Sequence, residues 1–386
     1  MESIEFPDFP YASTLTEVVI ELEKMRGDLK SGAAGAGQFE ELKSLFQLMT
    51  SVTSSRIEGN RTTIVDVVAG AARELDAEDR NVRHLDDGVS EILQIQDATD
   101  FIDKEIKTGT IVTHGHVREL HRITTTGLRR EGDRTPGAYR LGEVSISGSK
   151  HAPPPPGDVH ADMSMLLEFI NNPVEQRFQM LKIALAHHRF VWIHPFSNGN
   201  GRVARLLTYA TLRSLGFQDI SGYRTLNLTA VFGADRERYY ERLEDADSLS
   251  AESLIRWSEY VLSGLLADLK RSQMLADPAY VTGQITLPAI RRALASGRLT
   301  RQDAEAIFRT ASLGTVKAAD LVDVFPGSAA TRSQAIRRLL DQRLLVPTEP
   351  GKRSYRMAMS PNSLTPFLVR ELALKNFLPG ILEDGY

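Results

Sequence analysis

Cysteine is absent from the 386 residues of the chain, so disulfides, cysteine nucleophiles and thiolate metal sites are excluded. No uninterrupted apolar run reaches the roughly 18 residues that a membrane-spanning helix needs, and we expect no membrane contact. The first residues, MESIEFPDFPYAST, lack the basic and apolar regions of a secretory signal. A chain without cysteine also suits a reducing compartment. These absences together predict a cytoplasmic protein.

Net charge is small as well, because 46 Lys and Arg residues stand against 50 Asp and Glu residues, for a formal charge of −4. No basic field covers the whole molecule, so any contact with nucleic acid has to be local. The hydrophobic share of 42% and the charged share of 25% exclude collagen-like and low-complexity classes. At about 150 residues per domain, the length predicts two to three domains.

Helical periodicity dominates the first half of the chain. Leu42, Leu45, Phe46 and Met49 follow the i, i+3, i+4, i+7 spacing of a helix with one core-facing stripe. Gly59 can end this helix in the left-handed conformation, and a Gly/Ala-rich breaker at 31–38 separates it from an N-terminal helix. Further helices are predicted at 64–75, 86–107, 114–128, 159–171 and 174–192.

The strand signal is confined to one short segment. Val144, Ser145, Ile146 and Ser147 alternate apolar and polar side chains, as a half-buried strand does. The proline run at 153–156 forbids further pairing. We therefore expect a mainly α fold from which a small β-hairpin flap projects.

The densest chemical signal is HPFSNGNGRVAR, which runs from His194 to Arg205. Pro195 disfavours the helical backbone at His194, so the preceding helix should stop there. Gly199 and Gly201 permit tight backbone geometry, and a new helix should begin directly after them. His194 is thus predicted at a helix end, opposite the start of another helix.

A Gly-rich loop that opens a helix directs free N–H groups and the positive end of the helix dipole at one place, which favours an anion. Arg202 and Arg205 can add two guanidinium groups to a phosphate there. His194, with an ordinary pKa of about 6.5, can be neutral at pH 7 and remove a proton from a hydroxyl. The pattern predicts transfer of a phosphate-containing group from a nucleotide to a hydroxyl.

The same segment closely resembles the signature of the Fic family (filamentation induced by cAMP), H-x-F-x-(D/E)-G-N-G-(R/K)-x-x-R. Three supporting features extend the resemblance over about residues 40–265. The segment 135–140, TPGAYR, resembles the start of the family's target-docking hairpin. Tyr239 resembles a residue that packs near the nucleotide base. SSRIEG at 54–59 resembles the inhibitory motif (S/T)-x-x-x-E-(G/N), with Ser54 and Glu58 on one helix face.

This resemblance implies a Fic-type helical bundle and a protein adenylyltransferase (AMPylation) activity. AMP passes from ATP to a Ser, Thr or Tyr hydroxyl of a target protein, which can be the chain itself, and pyrophosphate leaves. His194 is then the general base, while Arg202 neutralises the phosphates and Arg205 holds the γ-phosphate or pairs with inhibitory Glu58. The remaining implied ATP-binding residues are the loop residues Asn198, Gly199, Asn200 and Gly201, Tyr239, and the flap residues Gly148, Ser149, Lys150 and His151.

Asn198 stands where the family pattern has the Asp or Glu that binds Mg²⁺. An amide oxygen can still ligate Mg²⁺, but it carries no formal charge, so the expected metal site is weakened. Glu58 has an explanation that does not depend on the family. A carboxylate in the last turn of a helix opposes the helix dipole, and an arginine partner would compensate it.

Near the C-terminus, the pattern of a short helix, a turn, a second helix after Ser328 and a hairpin resembles a winged helix-turn-helix. Seven basic and two acidic residues lie in 326–356. Two interpretations stay open: DNA binding, or contacts with protein, including a homodimer. The candidate DNA contacts are Arg332, Arg337 and Arg338 on the second helix, with Lys352 and Arg353 on the wing.

The predicted domains are an N-terminal helical region at 1–110, a catalytic core at 111–275 and a winged-helix-like C-terminal module at 284–386, after a linker near 277–283. The leading hypothesis is an adenylyltransferase autoinhibited by Glu58. One alternative is a DNA-binding transcriptional regulator whose core senses nucleotide. Another is transfer of a different group, such as UMP or phosphate, or removal of AMP.

Overall fold

Helices form most of the chain, as the hydrophobic periodicity predicts. The structure is a computed structural model, and it describes residues 4–29, 36–76, 86–146, 148–217, 228–275, 277–359, 361–379 and 382. The predicted breaker at 31–38 lies mostly outside these residues. Its last three residues already belong to a helix, because the second helix begins at Ala36.

The helices before residue 215 begin and end close to their predicted positions. Asp86 caps one of them by accepting a hydrogen bond from the Gly88 N–H (2.9 Å). Gly59, with φ of +97°, follows the end of the second helix as predicted. These helices are α1 (Thr14–Leu29), α2 (Ala36–Ile57), α3 (Ile64–Asp76), α4 (Asp87–Glu105), α5 (His114–Thr125), α6 (Val159–Asn171), α7 (Gln176–Ile193) and α8 (Asn200–Ser214).

Helix α7 lies at the centre of the predicted catalytic core and packs against α6, α8 and a long helix, α11 (Ala251–Met274). It is buried on nearly every side, including Lys182, His187 and His188. Trp257 of α11 donates a hydrogen bond from its indole nitrogen to the Ala184 carbonyl of α7 (2.7 Å). Because the core fixes α7 along its length, the residues that follow its C-terminus start from a defined position. Two shorter helices, α9 (Leu228–Ala234) and α10 (Arg236–Ala246), precede α11.

The C-terminal module contains the predicted order of short helix, turn, helix and hairpin. Leu345 pairs with Met357 in the antiparallel hairpin, and Val316 adds an isolated bridge to Tyr355. Its identity as a winged helix stays a prediction. Its elements are α13 (Leu287–Ala295), α14 (Arg301–Leu313), a 3₁₀ turn (Ala318–Leu321), α15 (Ala329–Asp341), β1 (Leu345–Pro347), β2 (Tyr355–Met357) and α16 (Thr365–Leu374).

The predicted linker at 277–283 is helical. A three-residue helix, α12 (Pro278–Tyr280), leads into a π-helical turn, Val281–Thr286, in which Val281 and Ile285 are buried. Pro278 suggested a break in the sequence, but it occupies the first turn of the helix, where its missing N–H is not needed. The chain therefore enters the C-terminal module through packed helix.

The first half of α2 belongs to the hydrophobic core of the C-terminal module. Leu42, Phe46 and Met49 share one buried cluster with residues of that module such as Leu339 and Leu368. The predicted stripe on α2 is confirmed. It faces the C-terminal module, whereas the other end of α2 carries the inhibitory motif. The division into three domains stays a prediction. One hydrophobic core contains residues from both the predicted N-terminal region and the predicted C-terminal module.

The flap, residues 142–154, is an extended loop with one turn and not a paired hairpin in its described part. The Ser149 N–H donates to the Ile146 carbonyl (3.1 Å), and Gly148 has φ of +77°. Ser147, part of the predicted strand, lies outside the described residues. A strand ladder needs a partner, and the proline run that returns to the core has no N–H donors to offer.

A search of the described residues found no helix that combines the length and the apolar character needed to cross a membrane.

Candidate active site

The end of α7 places His194 in a left-handed backbone conformation, with φ of 50°. This confirms the predicted helix stop. Few non-glycine residues adopt such a conformation, which costs about 1–2 kcal/mol, so surrounding contacts must hold it. Strained backbone of this kind clusters at active sites, where it fixes the direction of a functional side chain.

The His194 imidazole is in the tautomer that a general base requires. Its Nδ1 lies 3.2 Å from the Val191 carbonyl oxygen, which can only accept a hydrogen bond, so Nδ1 carries the proton. Nε2 is then the basic nitrogen. Burial lowers the pKa of His194 to about 4, and the ring is therefore neutral at physiological pH and ready to accept a proton.

The glycine-rich loop closes through the side chain of Asn200. Its Oδ1 accepts from the Phe196 N–H (2.9 Å), and its Nδ2 donates to the Phe196 carbonyl (2.8 Å). Gly199 has φ of +76°, a conformation that favours glycine. The Asn200 side chain therefore shapes the predicted anion site by closing the loop. Only the backbone of Asn200 faces the start of α8.

The predicted inhibitory pair is formed. Arg205 Nη2 lies 2.7 Å from Glu58 Oε1, and the guanidinium also donates to Ser54 through its Oγ (2.9 Å) and carbonyl oxygen (3.0 Å). Burial alone would raise the pKa of Glu58, but the charge and hydrogen bond of Arg205 outweigh it, and the pKa is lowered. Glu58 is thus ionised and paired at neutral pH.

Glu58 reaches directly over the first turn of α8. A Cβ atom added to Gly201 would lie 2.1 Å from Glu58 Oε1 and 3.2 Å from Arg205 Nη1, so a larger residue there would require the Glu58 carboxylate to move. Arg205 Nη1 is buried without a hydrogen-bond partner among the described residues. A buried donor of this kind normally finds a partner, and a phosphate oxygen would supply one.

Arg202 does not face the phosphate cradle. Its guanidinium is buried and donates to the Thr124 carbonyl (3.0 Å) and the Glu131 carbonyl (2.6 Å). Nη1 also lies 3.8 Å from the Glu91 carboxylate. The predicted role in neutralising phosphate charge is therefore not what this geometry supports. Arg202 instead fixes the C-terminal end of α5 to the start of α8.

Both polar groups of the Asn198 side chain form hydrogen bonds with nearby backbone groups. Its Oδ1 accepts from the Gly199 N–H (2.7 Å), and its Nδ2 donates to the Gly132 carbonyl (3.2 Å). Over the described ranges, no group of three or more His, Cys, Asp or Glu side chains is placed to hold a metal ion. Mg²⁺ prefers charged oxygen ligands. The residues present do not fit a strong protein-held Mg²⁺ site.

Tyr239 lies in the core and not at the mouth of the site. It is 2% exposed, and its hydroxyl lies 3.0 Å from His187 Nε2. Its neighbour Tyr240 is 42% exposed, with the Arg236 guanidinium 5.5 Å from its ring centre. Burial and the nearby Glu58 carboxylate raise the pKa of Tyr240. Both tyrosines interact electrostatically with Arg205 and Glu58, and Tyr240 is the more exposed of the two.

The predicted flap residues are anchored beside His194. His151 Nε2 lies 2.8 Å from the Trp192 carbonyl near the end of α7, and its N–H donates to Ser149 Oγ (3.0 Å). Lys150 is exposed and pairs with Glu244 of α10 (3.2 Å). Gly148, at the turn, is exposed. The flap therefore runs from the α7 terminus toward α10.

Sequence reasoning missed three groups that hold the site together. Asn60 donates to the Gly88 carbonyl (3.0 Å) and the buried Glu91 carboxylate (2.8 Å), which fixes the chain just after Glu58. His121 stacks on Phe196 with ring centres 3.7 Å apart. The third group is Arg140, the last residue of the TPGAYR segment. That segment was the one sequence signal that included any of these three groups.

The candidate DNA-contact residues lie at the surface of the C-terminal module, but several have partners. Arg338 pairs with Asp303, and Lys352 pairs with Glu349 (2.5 Å). Arg332 donates to the Gly327 carbonyl (2.8 Å). Arg337 and Arg353 are exposed. The structure therefore separates two outward-facing cations from three that make contacts within the module.

Comparison with known proteins agrees with this geometry. Residues 111–212 match the Fic/DOC family, a range that contains α5, the flap and most of α8. The chain is 26% identical over 243 residues to a "Protein adenylyltransferase Fic" of Nematostella vectensis, covering 62% of this chain and 53% of that protein. A relative of the same name from Aedes aegypti is 26% identical over 236 residues, 60% of this chain and 44% of its own length. The chain thus spans about half the length of these relatives.

Two solved structures share the fold. A Fic family protein from Desulfovibrio desulfuricans superimposes with a TM-score of 0.56 at 20% identity, covering 93% of this chain and 100% of that one. A Fic domain containing signaling protein from Bacteroides thetaiotaomicron gives a TM-score of 0.51 at 19% identity, covering 68% and 98%. Residues 111–212 thus match the Fic/DOC family, and these two solved structures share the fold.

Proposed function

We propose that the protein is a protein adenylyltransferase that transfers AMP from ATP to a Ser, Thr or Tyr hydroxyl of a target protein. The observation that carries this proposal is the 2.7 Å pair between Arg205 and Glu58, because it places a removable carboxylate on a phosphate cradle beside a histidine base. The names of the relatives support the same activity, although they belong to longer proteins.

The reaction balances with the groups that the site provides. His194 Nε2 accepts the hydroxyl proton of the target, and the hydroxyl oxygen forms a bond to the α-phosphorus. The bond between the α-phosphorus and its bridging oxygen to the β-phosphate breaks, and pyrophosphate leaves with that electron pair. The backbone N–H groups at the start of α8 and the Arg205 guanidinium stabilise the charge that develops on the phosphates.

Glu58 restrains this reaction by occupying the place of an anion. Its carboxylate sits over Gly201 and takes one edge of the Arg205 guanidinium. A γ-phosphate that needs the same donors must displace it, or it binds with its α-phosphorus out of line for attack. The protein is therefore autoinhibited in the conformation described.

Mg²⁺ is part of the proposal only as a partner of the nucleotide. The phosphates of ATP supply the charged oxygens that Mg²⁺ prefers. Asn198 Oδ1 stands at the position of the family's metal ligand, and it already accepts from the Gly199 N–H. We expect a metal requirement that is met at higher Mg²⁺ concentrations than a carboxylate at this position would need.

For the C-terminal module we propose a nucleic-acid contact through the exposed Arg337 and Arg353, with homodimer or other protein contact as the competing interpretation. Binding of labelled duplex DNA to the full chain should weaken with salt and with the substitution of both arginines by alanine. A change in oligomeric state without DNA binding would favour the competing interpretation. We also propose that the protein resides in the cytoplasm.

The activity is tested with ATP labelled on its α-phosphate. The Glu58→Gly variant should incorporate label into itself or into protein of a cell extract, whereas the parent should incorporate little. The Glu58→Gly, His194→Ala double variant is the matched control, because it keeps the open cradle and lacks the base. Label that persists in the double variant would overturn the mechanism.

A further inference from the structure

Arg140 joins three parts of the active site through one buried guanidinium. The residue is 2% exposed, and its guanidinium donates to the carbonyls of His194 (2.8 Å), Ile193 (3.3 Å), Gly142 (3.2 Å) and Pro154 (2.5 Å). Its backbone N–H also donates to the Pro195 carbonyl (2.9 Å). The proposed reaction gives this arginine no role so far.

The carbonyls that Arg140 binds are not equivalent to ordinary surface acceptors. Those of Ile193 and His194 lie at the C-terminus of α7, the negative end of its dipole, where a cation is stabilised. Those of Gly142 and Pro154 are the first and last residues of the flap. The planar fork of a guanidinium can reach several acceptors at fixed angles, which an ammonium group cannot.

The contact with His194 explains how its strained backbone persists. The left-handed φ of 50° must be held by neighbouring groups, and Arg140 binds the carbonyls on either side of it together with that of His194 itself. Without the guanidinium, the carbonyls of Ile193 and His194 would lose charge-assisted hydrogen bonds, whereas the backbone hydrogen bond to Pro195 would remain. That loss would remove part of the support for the strained conformation.

We propose that Arg140 is a positioning residue that fixes the catalytic His194 to both ends of the flap, so that the base and the docked target hydroxyl keep one geometry. The inference rests on the proposed function, because it concerns the target side of the same reaction. None of the five hydrogen bonds described goes to the phosphate cradle, so Arg140 should affect the attack on ATP and not the binding of ATP.

The titration of His194 gives a second readout. Burial lowers the pKa of His194 most, Arg140 and His151 lower it further, and the Glu58 carboxylate and the hydrogen bond to Val191 raise it. Removal of the Arg140 charge should therefore raise the pKa of His194. Replacement by lysine keeps a charge and loses the fork, so it separates electrostatics from positioning.

The test uses Arg140→Gln and Arg140→Lys in the full chain, each alone and combined with Glu58→Gly. Arg118→Gln is the matched control, because the exposed Arg118 also donates to a carbonyl just before the flap, that of Gly137 (2.6 Å). In the described part of the chain, this hydrogen bond of Arg118 does not involve the end of α7. Circular dichroism and thermal melting establish that each variant folds.

In the Glu58→Gly background we expect Arg140→Gln to lower kcat by about 100-fold, the scale of a misplaced reacting group. KM for ATP should stay within about twofold, and Arg140→Lys should recover less than half of the lost rate. Arg118→Gln should behave as its parent. A folded Arg140→Gln variant with parental kcat, full rescue by lysine, or a loss confined to KM for ATP would each overturn the proposal.

Two measurements in the chain that keeps Glu58 test the positioning role without relying on adenylyltransferase activity. Arg140→Gln should raise the pKa of His194 by NMR titration, whereas Arg140→Lys should leave it near the parental value. Hydrogen exchange at flap residues 142–154 should become faster in both variants and stay parental in Arg118→Gln. If Glu58→Gly labels nothing, the adenylyltransferase proposal fails. Unchanged exchange and an unchanged His194 titration in Arg140→Gln would contradict the positioning role by themselves.

Discussion

Glu41 of α2 accepts hydrogen bonds from the Arg356 side chain (3.0 Å) and from the Met359 N–H (3.2 Å). The helix that ends just before Glu58 is therefore tied near its other end to the strand β2 of the C-terminal module. Because α2 is one continuous helix, contacts of Glu41 near its start contribute to the docking of the whole helix. We therefore expect them to help keep Glu58 in place.

Glu41→Ala should destabilise the protein by about 1–3 kcal/mol, because it leaves the partly buried Arg356 without its carboxylate. If the docking of α2 is weakened by about 1 kcal/mol, the population of molecules in which α2 is undocked rises roughly fivefold. Basal self-labelling should rise by a similar factor. Thermal melting and labelling with ATP measure both effects, and Glu17→Gln on the exposed face of α1 is the control. Basal labelling equal to the parent, despite the loss of stability, would separate the module from the inhibition.

Ser54→Ala should release part of the inhibition. Arg205 Nε loses its hydroxyl acceptor, but the bonds of Nη2 to the Ser54 carbonyl and to Glu58 remain. A single hydrogen bond is worth about 1 kcal/mol, so basal labelling should rise about two- to fivefold and stay well below that of Glu58→Gly. Thr53→Ala is the matched control, because Thr53 bonds only within its own helix, to the Met49 carbonyl (2.8 Å), and should not raise labelling.

The pH dependence of the Glu58→Gly variant should follow a histidine that is neutral over most of the accessible range. Burial lowers the pKa of His194 to about 4, below the ordinary value of about 6.5. A general base is active when deprotonated, so kcat should be flat from about pH 8 to about pH 5.5 and fall at lower pH. Initial rates measured at saturating ATP test this. A half-loss of kcat near pH 6.5 would show that His194 is solvated in the working enzyme.

Acid should also weaken the fold, which sets the control for that experiment. Burial lowers the pKa of His121 to about 4, and its Nδ1 accepts from the Gly137 N–H (2.9 Å) only when neutral. A histidine whose folded pKa is depressed contributes stability above its unfolded pKa, and that stability is lost as the pH falls from about 6.5 to about 4. Thermal melting should show this decline, and His121→Gln should reduce it. Rates must therefore be compared only where circular dichroism is unchanged.

Asn198→Asp in the Glu58→Gly background should lower the Mg²⁺ concentration needed for half-maximal rate. The substitution exchanges an amide for a charged oxygen ligand, and it also removes the donor that Nδ2 offers to the Gly132 carbonyl. We expect a decrease of about three- to tenfold in the half-maximal Mg²⁺ concentration, with a small loss of thermal stability. A Mg²⁺ titration at fixed ATP measures it. An unchanged half-maximal concentration would show that the side chain at 198 does not reach the metal.

The helices could be predicted because they follow local rules, and the pair of Glu58 and Arg205 because both residues stand in segments that resemble motifs of one family. The stripe of Leu42, Phe46 and Met49 follows the helical period, and the stop at His194 follows from Pro195. The pairing of Glu58 with Arg205 followed from a motif together with the unfavourable place of a carboxylate at a helix end. For the helices the deciding information lies within a few residues of the position, whereas Glu58 and Arg205 lie 147 positions apart and their pairing was expected from the family resemblance.

The errors arose where a distant element decides the direction of a side chain. Arg202 and Arg205 are equivalent in the sequence, but the end of α5 offers carbonyls to Arg202 and turns it inward. Tyr239 and Tyr240 are adjacent, and the hydroxyl partner His187 draws the first into the core. The role of Arg140 depends on carbonyls from α7 and from both ends of the flap, which no local pattern brings together.

Intact-mass analysis of purified Glu58→Gly with ATP and Mg²⁺ tests the central claim most directly, because the mass of the adduct identifies the transferred group. We predict a gain of one or more AMP moieties that depends on ATP, is absent in the Glu58→Gly, His194→Ala variant and is much smaller in the parent. A gain of phosphate or UMP in place of AMP would contradict the proposed reaction. An adduct of equal size in the parent would contradict the inhibition by Glu58.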